Sequence, residues 1–154
     1  MSLYDPTRCS LGERPLWHPD RGALFWVDIN NHRLHTRRDG ETVTWQFDHY
    51  VSAAGWQSTE ELLIASDTAL FRFNLDTGAR EDVAPLEADN PATRCNDGRA
   101  DPQGGFWIGT MGKAAEPGAG SIYRFYRGEM RKLFADIRIP NAICFSPEGD
   151  LAYF

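Results

Sequence analysis

An all-β chain folded as a β-propeller is the architecture this sequence predicts, and three observations predict it. Aromatic residues are 12% of the 154 residues, with 14 glycines and 9 prolines among them. Aromatic side chains fit a pleated, half-buried surface, and Gly and Pro punctuate short elements. Helical periodicity is nearly absent. The best candidate, residues 58–66, is only about two turns long and reads equally well as a turn followed by a strand. The third observation is self-similarity at a fixed period.

The first unit opens with Leu16-Trp17-His18, turns at Pro19-Asp20-Arg21-Gly22 and returns through Ala23-Leu24-Phe25-Trp26-Val27-Asp28. A second hairpin follows at Arg33-Leu34-His35 and ends at Asp39-Gly40, where Gly accepts the positive φ that a tight hairpin turn requires. A degenerate copy of the first hairpin lies at residues 55–65, followed by Leu70-Phe71-Arg72-Phe73-Asn74 ending at Thr77-Gly78. The next copy runs through Asp101-Pro102-Gln103-Gly104-Gly105-Phe106-Trp107, with Ile122-Tyr123-Arg124-Phe125-Tyr126 ending at Arg127-Gly128. The last is Cys144-Phe145-Ser146-Pro147-Glu148-Gly149, followed by Leu151-Ala152-Tyr153-Phe154. Turns near Asp20, Thr59, Gln103 and Glu148 are spaced roughly 39, 44 and 45 residues, the period of a four-stranded propeller blade. A β-sandwich with coincidental turn spacing is the alternative, and three phased copies of both hairpins favour the propeller.

At about 43 residues per unit the chain fills about three and a half blades, whereas closed propellers have typically 4–8. Tyr153-Phe154 fall inside a predicted strand. The expectation is that residues 1–154 are the N-terminal part of a single propeller domain ending mid-blade. The remaining blades would come from a C-terminal half or from a partner chain.

A net charge of −6 leaves no basic footprint for nucleic acid. The absence of a long apolar run argues against a transmembrane helix, and no charged-then-apolar leader opens the chain. Cys9, Cys95 and Cys144 are an odd set without CxxC spacing, which reads as reduced, sheltered thiols in a cytoplasmic protein. His18, His32, His35 and His49 lack zinc-site spacing and read as structural or exposed. Neither G-x-S-x-G nor a phosphate-cradling or dinucleotide motif occurs.

Polar residues at the start of innermost strands line a propeller's central funnel. Glu13, in Leu11-Gly12-Glu13-Arg14-Pro15, lies just before Leu16-Trp17. Asn96, in Arg94-Cys95-Asn96-Asp97-Gly98, lies just before Arg99-Ala100, and Asn141, in Ile139-Pro140-Asn141, just before Ile143-Cys144. The intervals of about 83 and 45 residues are near two blades and one, so the three converge on the axis. One carboxylate and two carboxamides suit a hard or borderline divalent cation such as Ca²⁺, Mg²⁺ or Mn²⁺, with Fe²⁺ or Zn²⁺ also possible. Asn-Asp-Gly and Pro-Asn are equally turn chemistry. Arg94, two residues before Asn96, shares its side of an extended strand and can aim a guanidinium at a substrate carbonyl, hydroxyl or carboxylate, or else into solvent. Residues 113–120, rich in small side chains, read as a plain mobile connection or as a lid or rim loop.

The motifs Leu11-Gly12-Glu13-x-Pro15-x-Trp17, Arg94-Cys95-Asn96-Asp97-Gly98-x-x-Asp101-Pro102, Gly109-Thr110-Met111 and Ile139-Pro140-Asn141, in this order, resemble the senescence marker protein / gluconolactonase / regucalcin family. That resemblance covers essentially the whole chain. It implies a six-bladed propeller of about twice this length with one central divalent metal, calcium among the candidates, and hydrolysis of a sugar lactone to the aldonic acid. It further implies that Glu13 and Asn141 are metal ligands, that Asn96 faces metal and substrate, and that Arg94 contacts substrate. The family's general-base aspartate would lie beyond Phe154. Some members carry a substrate-contacting glutamate where this chain has Ala114, and Gly often stands where it has Ala142. A binding-only propeller scaffold and an inactive lactonase fragment are the competing readings.

Overall fold

The computed structural model describes residues 3–154. Among the described residues, fourteen strands form three four-stranded antiparallel sheets and one two-stranded hairpin. The first sheet holds β1 (Gly12–His18), β2 (Ala23–Asp28), β3 (Arg33–Arg38) and β4 (Glu41–Gln46) in sequential order. The second holds β5 (Val51–Trp56), β6 (Glu61–Ser66), β7 (Ala69–Asn74) and β8 (Arg80–Pro85), and the third β9 (Thr93–Ala100), β10 (Phe106–Gly112), β11 (Gly120–Tyr126) and β12 (Glu129–Ile137). The hairpin pairs β13 (Cys144–Phe145) with β14 (Ala152–Tyr153). These are propeller blades, each a sequential four-stranded meander. Among the described residues there is no helix, and hence none long and apolar enough to cross a membrane.

Turn chemistry sets the strand boundaries. Asp39 and Gly40 have φ of 51° and 85°, and Arg127 and Gly128 have 51° and 84°, the paired positive values that match the twist of flanking strands. The Pro-x-Gly turns end on left-handed glycines, Gly22, Gly104 and Gly149. Residues 58–66 resolve as a turn and then β6.

First strands of successive sheets lie side by side, β1 against β5 and β5 against β9. Two apolar layers fill the spaces between sheets. Phe25, Val27 and Leu34 of the first sheet meet Leu62, Ile64, Phe71 and Phe73 of the second. The other face of the second sheet, with Leu63, Ala65 and Leu70, meets Phe106, Ile108 and Tyr123 of the third. The second sheet is thus buried on both faces, and β6 loses the in–out alternation of a half-exposed strand. Its copy of the repeat looks degenerate in the sequence because the turn Gln57-Ser58-Thr59-Glu60 carries neither Pro nor Gly; Ser58 Oγ holds it instead, accepting the Glu60 and Glu61 amides at 3.3 and 3.2 Å.

Two sequence expectations need correction. Glu13 and Asn96 sit within β1 and β9, not ahead of them, and only Asn141 precedes its strand. A bulge explains the first case. Pairing with β2 slips between Glu13 and Leu16, and Arg14 has φ 51°, so the strand begins before its apolar run. Cys144 is exposed on the small hairpin rather than sheltered, whereas Cys95 is buried and Cys9 half-buried.

Candidate functional site

The strand β9 carries the central constellation. Arg94 and Asn96 fall on one side of it, and Arg94 Nη1 donates to Asn96 Oδ1 at 3.1 Å and to the Cys95 carbonyl at 2.9 Å. Asn96 Nδ2 donates to the Pro140 carbonyl at 3.0 Å, which brings the Pro140-Asn141 segment against β9. The carboxamide of Asn96 is therefore oriented, with oxygen toward Arg94 and nitrogen toward Pro140. Among the described residues, Arg94 Nε and Nη2 have no hydrogen-bond partner and keep their protons for another.

Between Arg94 and Asn96, Cys95 points the other way, into the core. Its Sγ donates to the Ala65 carbonyl at 3.2 Å, and burial pushes the thiol up to about 12. A thiol so protonated and enclosed is not a nucleophile.

Asp97 is the residue that sequence reading missed. It is 3% exposed. Its Oδ1 receives Arg14 Nε at 3.0 Å and its Oδ2 receives the Ile143 amide at 2.7 Å. One carboxylate thus ties β1, β9 and the segment after Asn141 together, one residue from Glu13, one from Asn96 and two from Asn141. Its turn reading, as part of Asn-Asp-Gly, fails because all three residues lie inside β9. Gly98 is there for closeness: an added Cβ would sit 2.7 Å from the Trp107 carbonyl and 2.9 Å from the Ala53 Cβ of β5.

The Gly109-Thr110-Met111 motif serves the same junction. A Cβ on Gly109 would come within 2.7 Å of Pro140 Cγ, so the missing side chain is the seat of the proline ring. Thr110 Oγ1 donates to Glu87 at 3.1 Å, and the Tyr123 hydroxyl donates to the same oxygen at 2.7 Å.

Asn141 itself is exposed, and its Oδ1 accepts the Ala142 amide at 2.9 Å. Ala142 has φ 55°, a left-handed backbone that costs a non-glycine residue roughly 1–2 kcal/mol. That explains physically why glycine suits this position. Glu13 is half-buried and lines a groove of about 480 Å³ with Cys9, Gly12 and Pro15. Among the described residues no hydrogen bond joins Glu13 to either asparagine; it reaches the constellation through the Arg14–Asp97 pair. In the β10–β11 connection, Ala114 donates its amide to Glu116 Oε2 at 3.1 Å, so a carboxylate stands two residues from the alanine.

Away from this constellation, ligand atoms of Cys9, Asp28 and His35 all lie within 4.8 Å of one another, a group that could hold a metal ion. Sequence spacing gave no sign of it.

The family model described as the SMP-30/Gluconolactonase/LRE-like region matches residues 11–154. A Rhizobium meliloti protein, whose name places it among the sugar lactone lactonases, is 40% identical over 146 residues, covering 94% of this chain and 49% of that protein. The L-arabinolactonase of Azospirillum brasilense is 35% identical over 160 residues, covering 99% and 53%. The crystal structure of a calcium-binding protein, regucalcin, from Agrobacterium tumefaciens superposes with a TM-score of 0.91 at 46% identity, covering 94% of this chain and 50% of that one. The chain spans about half the length of the curated relatives it matches.

Proposed function

Because the chain belongs to the SMP-30/gluconolactonase/LRE-like family, we propose that it forms the substrate-orienting half of a sugar lactonase, a propeller that hydrolyses an aldonolactone to the aldonic acid. The observation that carries this reading is the oriented relay from Arg94 through Asn96 to Pro140. Arg94 directs its remaining protons at the lactone carbonyl or a ring hydroxyl, and the second Nδ2 proton of Asn96 is available to a neighbouring sugar oxygen. Holding the ester in one orientation lowers the entropic part of the barrier.

Glu13, Asn96 and Asn141 are the proposed holders of a divalent cation. Their donors are all oxygen, as hard cations require, and each asparagine oxygen accepts one hydrogen bond and keeps a second lone pair. The set fits such an ion in kind. When bound, the cation supplies Lewis-acid polarisation of the ester carbonyl. The general base is proposed to be an aspartate outside residues 1–154, in blades contributed by further sequence or by a second chain.

A cation- or protein-binding propeller without catalysis is the second reading. Its protein-binding form is favoured by Asn141 Oδ1, which accepts a hydrogen bond from the neighbouring Ala142 amide. Aldonolactone hydrolysis, followed by proton release with five- and six-carbon lactones in a ring completed by the remaining blades, separates the two. The lactonase reading expects Arg94→Ala to lower kcat/KM at least about tenfold, with the fold intact. Turnover no faster than spontaneous hydrolysis, alongside retained cation binding, would establish the second reading instead.

A further inference from the structure

The face of the first sheet turned away from the second is covered by the residues that precede β1. Tyr4 meets Trp26 edge-on at 6.3 Å, and Thr42 Oγ1 donates to Asp5 Oδ2 at 2.7 Å. Cys9 ends this cover. It comes down beside Asp28, the last residue of β2, and His35, in the middle of β3. His35 is 2% exposed and its ring stacks on Trp26 at 5.5 Å. Its Nδ1 is engaged with Thr44 Oγ1 at 2.8 Å, while its Nε2 is buried with no hydrogen-bond partner among the described residues. A buried, unpartnered ring nitrogen is costly unless something fills its lone pair or takes its proton.

We infer that Cys9, Asp28 and His35 form a binding site for a borderline divalent metal ion of the zinc type, separate from the oxygen donors of the central constellation. Sulfur, imidazole nitrogen and carboxylate oxygen are a zinc donor set, whereas calcium and magnesium take oxygen. A ring nitrogen held by a hydroxyl, with the other nitrogen free, is the arrangement that orients a metal-bound histidine. Asp28 is held likewise. Its Oδ2 accepts the Ser10 amide at 2.9 Å and Asn31 Nδ2 at 2.7 Å, and its Oδ1 accepts the Leu11 amide at 3.0 Å. These donors fix the carboxylate in place beside Cys9 and His35.

Tetrahedral zinc ligands lie roughly 3.3–3.8 Å apart at ordinary bond lengths. The present limit of 4.8 Å needs a closure of about 1 Å, within reach of one rotation of the Cys9 side chain. The groove shared by Cys9 and Glu13 gives an ion its path, and water completes the coordination. Bound there, the ion clamps the covering segment to β2 and β3.

Cobalt(II) is the spectroscopic probe, because a thiolate ligand produces a charge-transfer absorption that an all-oxygen site lacks. The chain should bind one equivalent with that band. Cys9→Ser should abolish it and His35→Gln should weaken the affinity at least about tenfold. Cys144→Ser and Glu13→Gln should leave the band in place. On the unmodified chain, Zn²⁺ should slow alkylation of Cys9 and leave that of exposed Cys144 unchanged, which tests the site without any variant. Absence of the band in the wild-type chain, its survival in Cys9→Ser, or alkylation of Cys9 indifferent to Zn²⁺ would overturn the inference.

Discussion

Replacing Asp97 by alanine should destabilise the protein by about 4 kcal/mol. Removing one member of a buried ion pair costs about 3–5 kcal/mol when the survivor is fully enclosed. Arg14 keeps 19% of its side chain in water, so its share falls to about 2 kcal/mol, and the orphaned Ile143 amide adds about 1–3 kcal/mol. The expected total is about 4 kcal/mol, or a midpoint lowered by about 10 °C for a domain of this size. Asp97→Asn keeps an acceptor for the Ile143 amide and should cost about half as much. Urea denaturation at neutral pH, followed by fluorescence of the five tryptophans, measures both. A cycle with Arg14→Met isolates the pair and should show a coupling above about 1 kcal/mol. A loss below about 1 kcal/mol for Asp97→Ala, or additivity in the cycle, would refute the idea that one carboxylate stitches three segments.

Gly109→Ala should press its methyl into Pro140 and cost about 1–3 kcal/mol by overpacking, read by denaturation; in the completed ring of the proposed lactonase it should also lower kcat/KM through the displaced Asn96 contact. Asp101 has a testable pH signature. Burial opposes its ionisation, but hydrogen bonds from Arg124 Nε at 2.5 Å, the Gly105 amide and Trp107 Nε1 outweigh this and hold its carboxyl below the usual carboxylate range. A depressed carboxyl contributes stability that is complete above its unfolded value and lost as pH falls through the folded one. The urea midpoint should therefore drop between pH 5 and pH 3, and Arg124→Met should shrink that drop; an equal drop in both proteins would remove Asp101 from the account.

The hairpins were legible because turn residues announce themselves locally: Asp39-Gly40 and Arg127-Gly128 need positive φ and have it. The pairing of Arg94 with Asn96 was legible for the same reason, since residues two apart share a strand face. What escaped was set by distant chain. Asp97 meets Arg14 across two sheets, and Cys9, Asp28 and His35 meet only after the meander folds back and the leading segment lies over it. The start of β1 was misread because a bulge separates Glu13 from the apolar run that marks the strand. The second unit looked weak because its first turn is closed by Ser58 Oγ rather than by the Pro and Gly that mark the other copies.

That doubly buried second sheet has a consequence for how the molecule comes apart. Modules in a linear array can open one at a time when each owns its interior. Here β6 sends Leu62 and Ile64 into one apolar layer and Leu63 and Ala65 into the other. Peeling away either neighbouring blade bares one side of a strand that the other neighbour still needs. The two layers therefore open together, and β6 amides should exchange with solvent only through global unfolding, while the outermost strands β4 and β12 exchange through local fraying.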